Sequence, residues 1–188
     1  MWIVNSYLVA SYLFFQYQSI KTSVLLKYGT VSVGESVASA AVKTAIDIDA
    51  KLIVVLSAWG KMARYVAKFR PSATTIMLTP NIQAARQASG LLLGIHTVQV
   101  DSLEKADELV EELNHELIES QYMRPGDSIV IIGGRMAGNM REQLKIETLS
   151  ADAKSYGHFV KGGVEKTGFY YNRKMLLNFS SFGDEDDK

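Results

Sequence analysis
The spacing of apolar positions changes several times along the chain, and each change marks a predicted element. Over residues 35–45, ESVASAAVKTA, small apolar side chains recur at helical spacing, which predicts a helix lying close against a sheet. Residues 51–56, KLIVVL, form a continuous apolar run of strand length, the pattern of a parallel strand buried on both faces. Gly60 falls in the turn that follows, and residues 61–69 read as a helix that Arg70 and Pro71 bring to an end. The stretch 75–87, TIMLTPNIQAARQ, compresses a strand, a tight turn and a helix start into one corner. There Thr79 or Asn81 can cap the helix, Pro80 suits its first turn, and Arg86 and Gln87 can tie it to neighbouring loops. A short strand is expected over residues 95–100. From Ser102 the pattern is a long amphipathic helix, with Leu103, Ala106, Leu109, Val110, Leu113, Leu117 and Ile118 on one face and acids on the other. Residues 124–127 make a turn, 128–132 (SIVII) another buried strand, 133–138 (GGRMAG) a loop, and 144–149 (LKIETL) alternate as an edge strand does.

Strands that alternate with helices imply an α/β fold with a parallel sheet, helices on both faces and three layers, α/β/α. Only a short loop separates SIVII from LKIETL, whereas a parallel crossover takes about a dozen residues or more, so the last strand should run antiparallel. The expectation is a five-stranded mixed sheet over residues 31–150. Residues 1–30 form an apolar, aromatic extension outside that pattern. The first Lys is Lys21, so the extension lacks the positive leader of a secretory signal, and it is expected to be a buried or partner-facing strand-helix segment. Residues 151–188 mix Gly, Ser and scattered aromatics and end in the acids 184–187, which reads as an irregular tail with a solvated end.

Composition narrows the function classes. Lys plus Arg and Asp plus Glu number 20 each, so formal net charge is zero and nothing global favours nucleic acid or an anionic membrane as partner. There is no Cys, which removes disulfides and thiolate zinc sites and makes a reducing compartment the easier expectation. His96, His115 and His158 lie far apart and form no metal-binding spacing. No apolar run reaches the roughly 18 residues of a spanning helix.

Several motifs recur in a telling order: Glu35-Ser36-Val37-Ala38 ahead of a helix and an apolar strand, Gly60 and Ala63 ahead of VAKFRPSA (66–73), the corner leading into NIQAARQ (81–87), and MRPGDSIVIIGG (123–134) followed by LKIETL. Together they resemble the C-terminal domain of pyruvate kinase. That resemblance implies an enzyme of glycolysis, cytoplasmic, which moves a phosphoryl group from phosphoenolpyruvate to ADP and, at full length, uses Mg2+ and K+. In that family the metal carboxylates and phosphate-binding cations sit in a (β/α)8 barrel ahead of this domain. A barrel takes about 200 residues, and the 30 residues upstream of residue 31 resemble no part of one. The chain alone is therefore expected to be catalytically inactive, with no cofactor of its own.

The resemblance also implies what the domain does instead. It packs on the barrel, supplies a subunit interface of a homo-oligomer, and in many members binds a sugar-phosphate effector. The effector lies between the turn after the first strand and a loop between the last two strands. Here these give Ser57, Trp59, Gly60 and Lys61 from the turn and Gly133, Gly134, Arg135 and Gly138 from the loop, with Arg141 a second cation on the latter. A helix-opening turn offers unpaired N–H groups and a positive dipole end, which suit a phosphate, and Arg can clasp one with two parallel bonds. The sequence departs from the family by placing Trp59 and Met62 where hydroxyls are expected. The bland reading of the loop is a turn with solvated arginines.

Other constellations carry less. GGRMAG lacks the spacing and Gly-Lys-Ser/Thr ending of a nucleoside-triphosphate loop. Glu111, Glu112, Glu116 and Glu119 read as a solvated helix face, and His96 as a packed or surface imidazole. Two further function classes compete: a stand-alone module binding an anion or small ligand, and an interaction protein whose aromatic N-terminus and tail take over the barrel's contacts.

Overall fold
The computed structural model describes residues 2–133 and 143–149. In chain order the elements are α1 (Trp2–Tyr28), α2 (Val33–Asp47), β1 (Leu52–Leu56), α3 (Lys61–Lys68), β2 (Thr74–Thr79), α4 (Ile82–Leu91), β3 (Ile95–Gln99), α5 (Ala106–Glu119), β4 (Ser128–Gly133) and β5 (Gln143–Thr148). β1 has no polar side chain, so it is stable only where both of its faces are covered, and every one of its residues is buried. It sits at the centre of a five-stranded sheet of order β3-β2-β1-β4-β5. β1, β2, β3 and β4 run parallel, and β5 pairs antiparallel with β4. The expected architecture, α/β in three layers with a mixed sheet and a reversed last strand, is the one found.

The alternation of the pleat divides the strands between two cores. Ile53, Val55, Met77, Val130 and Ile132 face α2, α3 and α4, whereas Leu52, Val54, Leu78, Ile129 and Ile131 face α5. The first face wants small residues, because α2 lies close: its buried positions are Gly34, Ala38, Ser39, Ala41, Val42 and Ala45. Each fully buried Val, Leu or Ile of these strands contributes about 1.5–3 kcal/mol relative to exposure. The chain lays down β1, β2 and β3 outward in one direction with α3 and α4 on one face. It then returns through α5 across the opposite face to place β4 beside β1.

Caps and turns follow the sequence closely. Ser32 caps α2 by accepting from the Glu35 N–H, and Asn81 caps α4 by accepting from the N–H groups of Gln83 and Ala84 at 2.9 and 3.1 Å. Of the two proposed caps at this corner, Asn81 is the one used. Replacing it with Ala should lower unfolding free energy by about 1 kcal/mol, and Asn81→Ser should recover most of the loss, as read by urea denaturation.

Two expectations differ from the outcome. Residues 2–28 form one continuous helix rather than a strand followed by a helix. No Gly or Pro interrupts them, and the helix stops only where Gly29 turns left-handed at φ 72 and its N–H bonds the Leu25 carbonyl. α5 begins at Ala106 rather than Ser102. The Ser102 hydroxyl accepts from the Glu104 N–H in a local turn that lets Leu103 drop into the core beneath the helix. The apolar face predicted for α5 is otherwise the buried one, with Val110, Leu113 and Leu117 against the sheet and Asn114 buried among them. The tail over residues 151–188 lies outside the described residues.

Candidate functional site
The sheet reverses its building direction between β1 and β4, and ligands of open α/β sheets bind beyond the carboxyl ends of the strands at such a point. The register makes Leu56, the last residue of β1, the neighbour of Gly133, the last residue of β4. The turn 57–60 and the start of the glycine loop therefore leave the sheet side by side. Ser57 is buried, and its N–H bonds the Leu78 carbonyl of β2 at 3.1 Å, so its backbone belongs to the scaffold. Thr79, fully buried at the end of β2, donates its hydroxyl to the Ala58 carbonyl at 3.0 Å and accepts from the Asn81 N–H at 3.2 Å. One side chain thus pins this turn to the neighbouring corner.

Gly60 forms the N-cap of α3 with φ 70, a left-handed conformation that a side chain would strain by roughly 1–2 kcal/mol. A Cβ there would reach Met77 Sδ at 3.8 Å and Ala84 Cβ at 3.9 Å, ordinary contact, so the conformation and not crowding asks for glycine. No side chain caps the first N–H groups of α3. Lys61 opens the helix, exposed, with its ammonium 5.7 Å from the centre of the Tyr65 ring. Trp59 is 75% exposed at the tip of the turn. Met62 is buried in the core beneath α2, so its place in the motif is a packing position and not a contact surface. Of the eight candidates, Ser57, Trp59, Gly60, Lys61 and Gly133 gather at one end of the sheet; Gly134, Arg135 and Gly138, with Arg141, lie outside the described residues.

The segment carrying this geometry matches the family model described as pyruvate kinase, alpha/beta domain, over residues 35–146. That is more than half of the chain.

The chain belongs to the pyruvate kinase family.

Among curated pyruvate kinases, that of Dictyostelium discoideum is 38% identical over 114 residues, a match covering 57% of this chain and 21% of that protein. That of Geobacillus stearothermophilus is 30% identical over 155 residues, 78% of this chain and 26% of the relative. A crystal structure of a pyruvate kinase from Cryptosporidium parvum superposes with TM-score 0.63 at 27% identity, over 72% of this chain and 26% of that one. The chain therefore spans about a quarter of the length of these pyruvate kinases.

The resemblance to full-length pyruvate kinase raised Mg2+ and K+. Among the described residues no group of three or more His, Asp or Glu side chains is placed to hold a metal ion. His96 lies one residue into β3, at the far end of the strand from the candidate turn. Burial pushes its imidazole below its ordinary pKa, so the fold favours the neutral ring. Its contribution to stability is full above the ordinary imidazole pKa and is lost as pH falls through the lowered folded value. In thermal melts from pH 8 to 5, His96→Gln should lose less stability on acidification than the parent chain; parallel profiles would show that His96 does not carry the effect.

What the sequence did not disclose is the role of Thr79 as a pin for the first turn. Its signal was the Thr-Pro-Asn corner itself, where two residues compete for the cap and only one is used as such.

Proposed function
We propose that this chain performs the regulatory and assembly role of the pyruvate kinase C-terminal domain, in a cytoplasmic homo-oligomer, and that the crevice beyond β1 and β4 receives a phosphate of a sugar-phosphate effector. The observation that carries this reading is the pairing of Leu56 with Gly133, which sets the uncapped N-terminal end of α3 beside the end of β4; Arg135 and Arg141 follow Gly133 in the sequence. The N–H groups opening α3 would meet the phosphate oxygens, Lys61 would add a charge beside them, and Arg135 and Arg141 are the further cations that could pair with the anion. Trp59 takes the place of a hydroxyl donor, so binding should be weaker than in a turn rich in Ser and Thr. Phosphoryl transfer itself is assigned to a barrel domain and not to these 188 residues.

Two assays test the two halves of this reading. Fructose 1,6-bisphosphate should raise the melting temperature of the pure chain, with a smaller rise in Lys61→Ala and in Arg135→Ala. Indifference to it and to inorganic phosphate would remove the effector site. A coupled assay with phosphoenolpyruvate, ADP, Mg2+ and K+ should give no turnover, and any turnover above a heat-killed control would overturn the assignment of catalysis elsewhere.

A further inference from the structure
Zero net charge conceals a strong division of charge along the chain. Residues 1–100 carry nine Lys and Arg against three acids, Glu35, Asp47 and Asp49, whereas residues 101–188 carry eleven against seventeen. The three acids of the first part are already paired: Glu35 with Lys68 at 2.5 Å, Asp47 with Lys43, and Asp49 with Lys51 at 2.8 Å. Lys21, Lys27, Lys61, Arg64, Arg70 and Arg86 are left with no carboxylate partner among the described residues.

α3 gathers this excess. Lys61, Arg64 and Lys68 are all exposed and recur at i, i+3 and i+7, so they form one stripe along the helix. Lys27 of α1 extends it: its ammonium and that of Lys68 lie 5.2 and 5.6 Å from the centre of the same Tyr28 ring. Among the described residues, Glu35 is the one acid that forms an ion pair with any of these four. The many acids of α5 do not reach the stripe, because α5 packs on the opposite face of the sheet.

We infer that the α3 stripe is the docking surface for the acidic end of the same chain, Asp184-Glu185-Asp186-Asp187. Those four residues are the longest run of acids in the sequence, and the stripe is the cationic surface left without acids of its own. The dimensions agree. Four extended residues set out their carboxylates over about 10 Å, and the helix from Lys61 to Lys68 rises by about 10 Å. Reach is ample. Leu149 is the last described residue, and Asp184 lies 35 residues farther on. That length of chain spans up to about 115 Å, whereas a compact domain of this size is about 40 Å across. An isolated exposed ion pair contributes little, but here several carboxylates meet several cations at once. The covalent tether also holds them at a local concentration of about a millimolar. The contact stands apart from the phosphate reading, since it needs no ligand and is measured without one.

The chain has no Cys, so Lys188→Cys supplies a single thiol for a nitroxide label. At low ionic strength and without phosphate, the label should broaden the backbone amide signals of residues 61–68 several-fold more than those of α5. The effect should vanish at about 1 M salt, where charges are screened beyond about 3 Å. It should also vanish when the run is neutralised by Asp184→Asn, Glu185→Gln, Asp186→Asn and Asp187→Asn, and when the exposed pair Lys61→Glu and Arg64→Glu reverses the stripe. The neutralised run leaves the described fold untouched, so it decides the matter even if the reversed stripe does not fold. Mixing nitroxide-bearing chain with unlabelled, isotope-enriched chain should give no broadening, which places the contact within one copy. Equal broadening of α3 and α5, broadening that survives neutralisation of the run, or broadening in the mixed sample would each overturn the proposal.

Discussion

Tyr17→Ala should be the most damaging single change on the helical side of the molecule, lowering unfolding free energy by about 3–5 kcal/mol. Tyr17 is 1% exposed, the most completely buried side chain described on α1. Its hydroxyl shares a hydrogen bond with Ser39 of α2 at 2.7 Å, and its ring lies tilted against Phe69, with centroids 5.8 Å apart. Truncation opens a cavity the size of a phenol between two helices and the end of α3. It also leaves the Ser39 hydroxyl buried, where it must turn back to a carbonyl of its own helix. The consequence is local before it is global. Among the described side chains of α1 only Tyr17 and Val24 are buried, so removal of Tyr17 should release the helix while the sheet stays folded. Hydrogen exchange should therefore rise across α1 and the exposed face of α2, and β1 and β4 should keep their protection. The melting temperature should fall by about 10 °C. Tyr17→Phe separates the two contributions: it keeps the ring contact and loses only the hydrogen bond, at a cost of about 1 kcal/mol. If Tyr17→Ala melts with the parent chain and α1 exchanges no faster, α1 does not dock through this residue.

How much of this was readable from the sequence depends on whether a segment's periodicity survives its surroundings. β1 and β4 are apolar on both faces, and an unbroken run of four to six such residues bounded by turns leaves little alternative to a central strand. β5 alternates because only one of its faces turns toward the core, with Leu144 packed against the α2 cluster and Ile146 half-exposed on that same face, and the short loop before it fixed its direction. α1 fails the same test. Its apolar residues surround the helix, so no 3.6-residue period stands out, and the remaining signal was the absence of any Gly or Pro over 27 residues. At α5 the amphipathic pattern extended too far toward the N-terminus because Leu103 keeps the helical phase while the backbone is still turning. For the candidate site, the turn 57–60 was legible as a loop, whereas Gly133, read as the first loop residue, is the last residue of β4. Their adjacency was not legible, because it arises from the reversal of strand order after β3, and a linear pattern does not state where a returning strand will insert.

The connection between that crevice and the rest of the fold runs through Thr79, and Thr79→Val should cost about 2 kcal/mol. Valine matches threonine in shape and suits a strand, so the packing of this fully buried position is retained. What disappears is the pair of hydrogen bonds to the Ala58 carbonyl and from the Asn81 N–H, leaving two half-buried backbone groups unpaired. The first loss frees the turn that carries Trp59 and the start of α3; the second loosens the entry to α4, although Asn81 still caps that helix through its own side chain. Melting should drop by roughly 4–8 °C. If the crevice binds phosphate as proposed, affinity should also fall several-fold, because the N–H groups of α3 are held in place by the turn that Thr79 secures. Thr79→Ser is the control that separates the two effects. It keeps both hydrogen bonds and loses one methyl group, so it should be less stable by about 1 kcal/mol yet bind phosphate like the parent chain. A valine variant as stable as the parent would mean that the two hydrogen bonds contribute nothing. A destabilised valine variant with unchanged phosphate affinity would mean that the turn keeps its shape without Thr79.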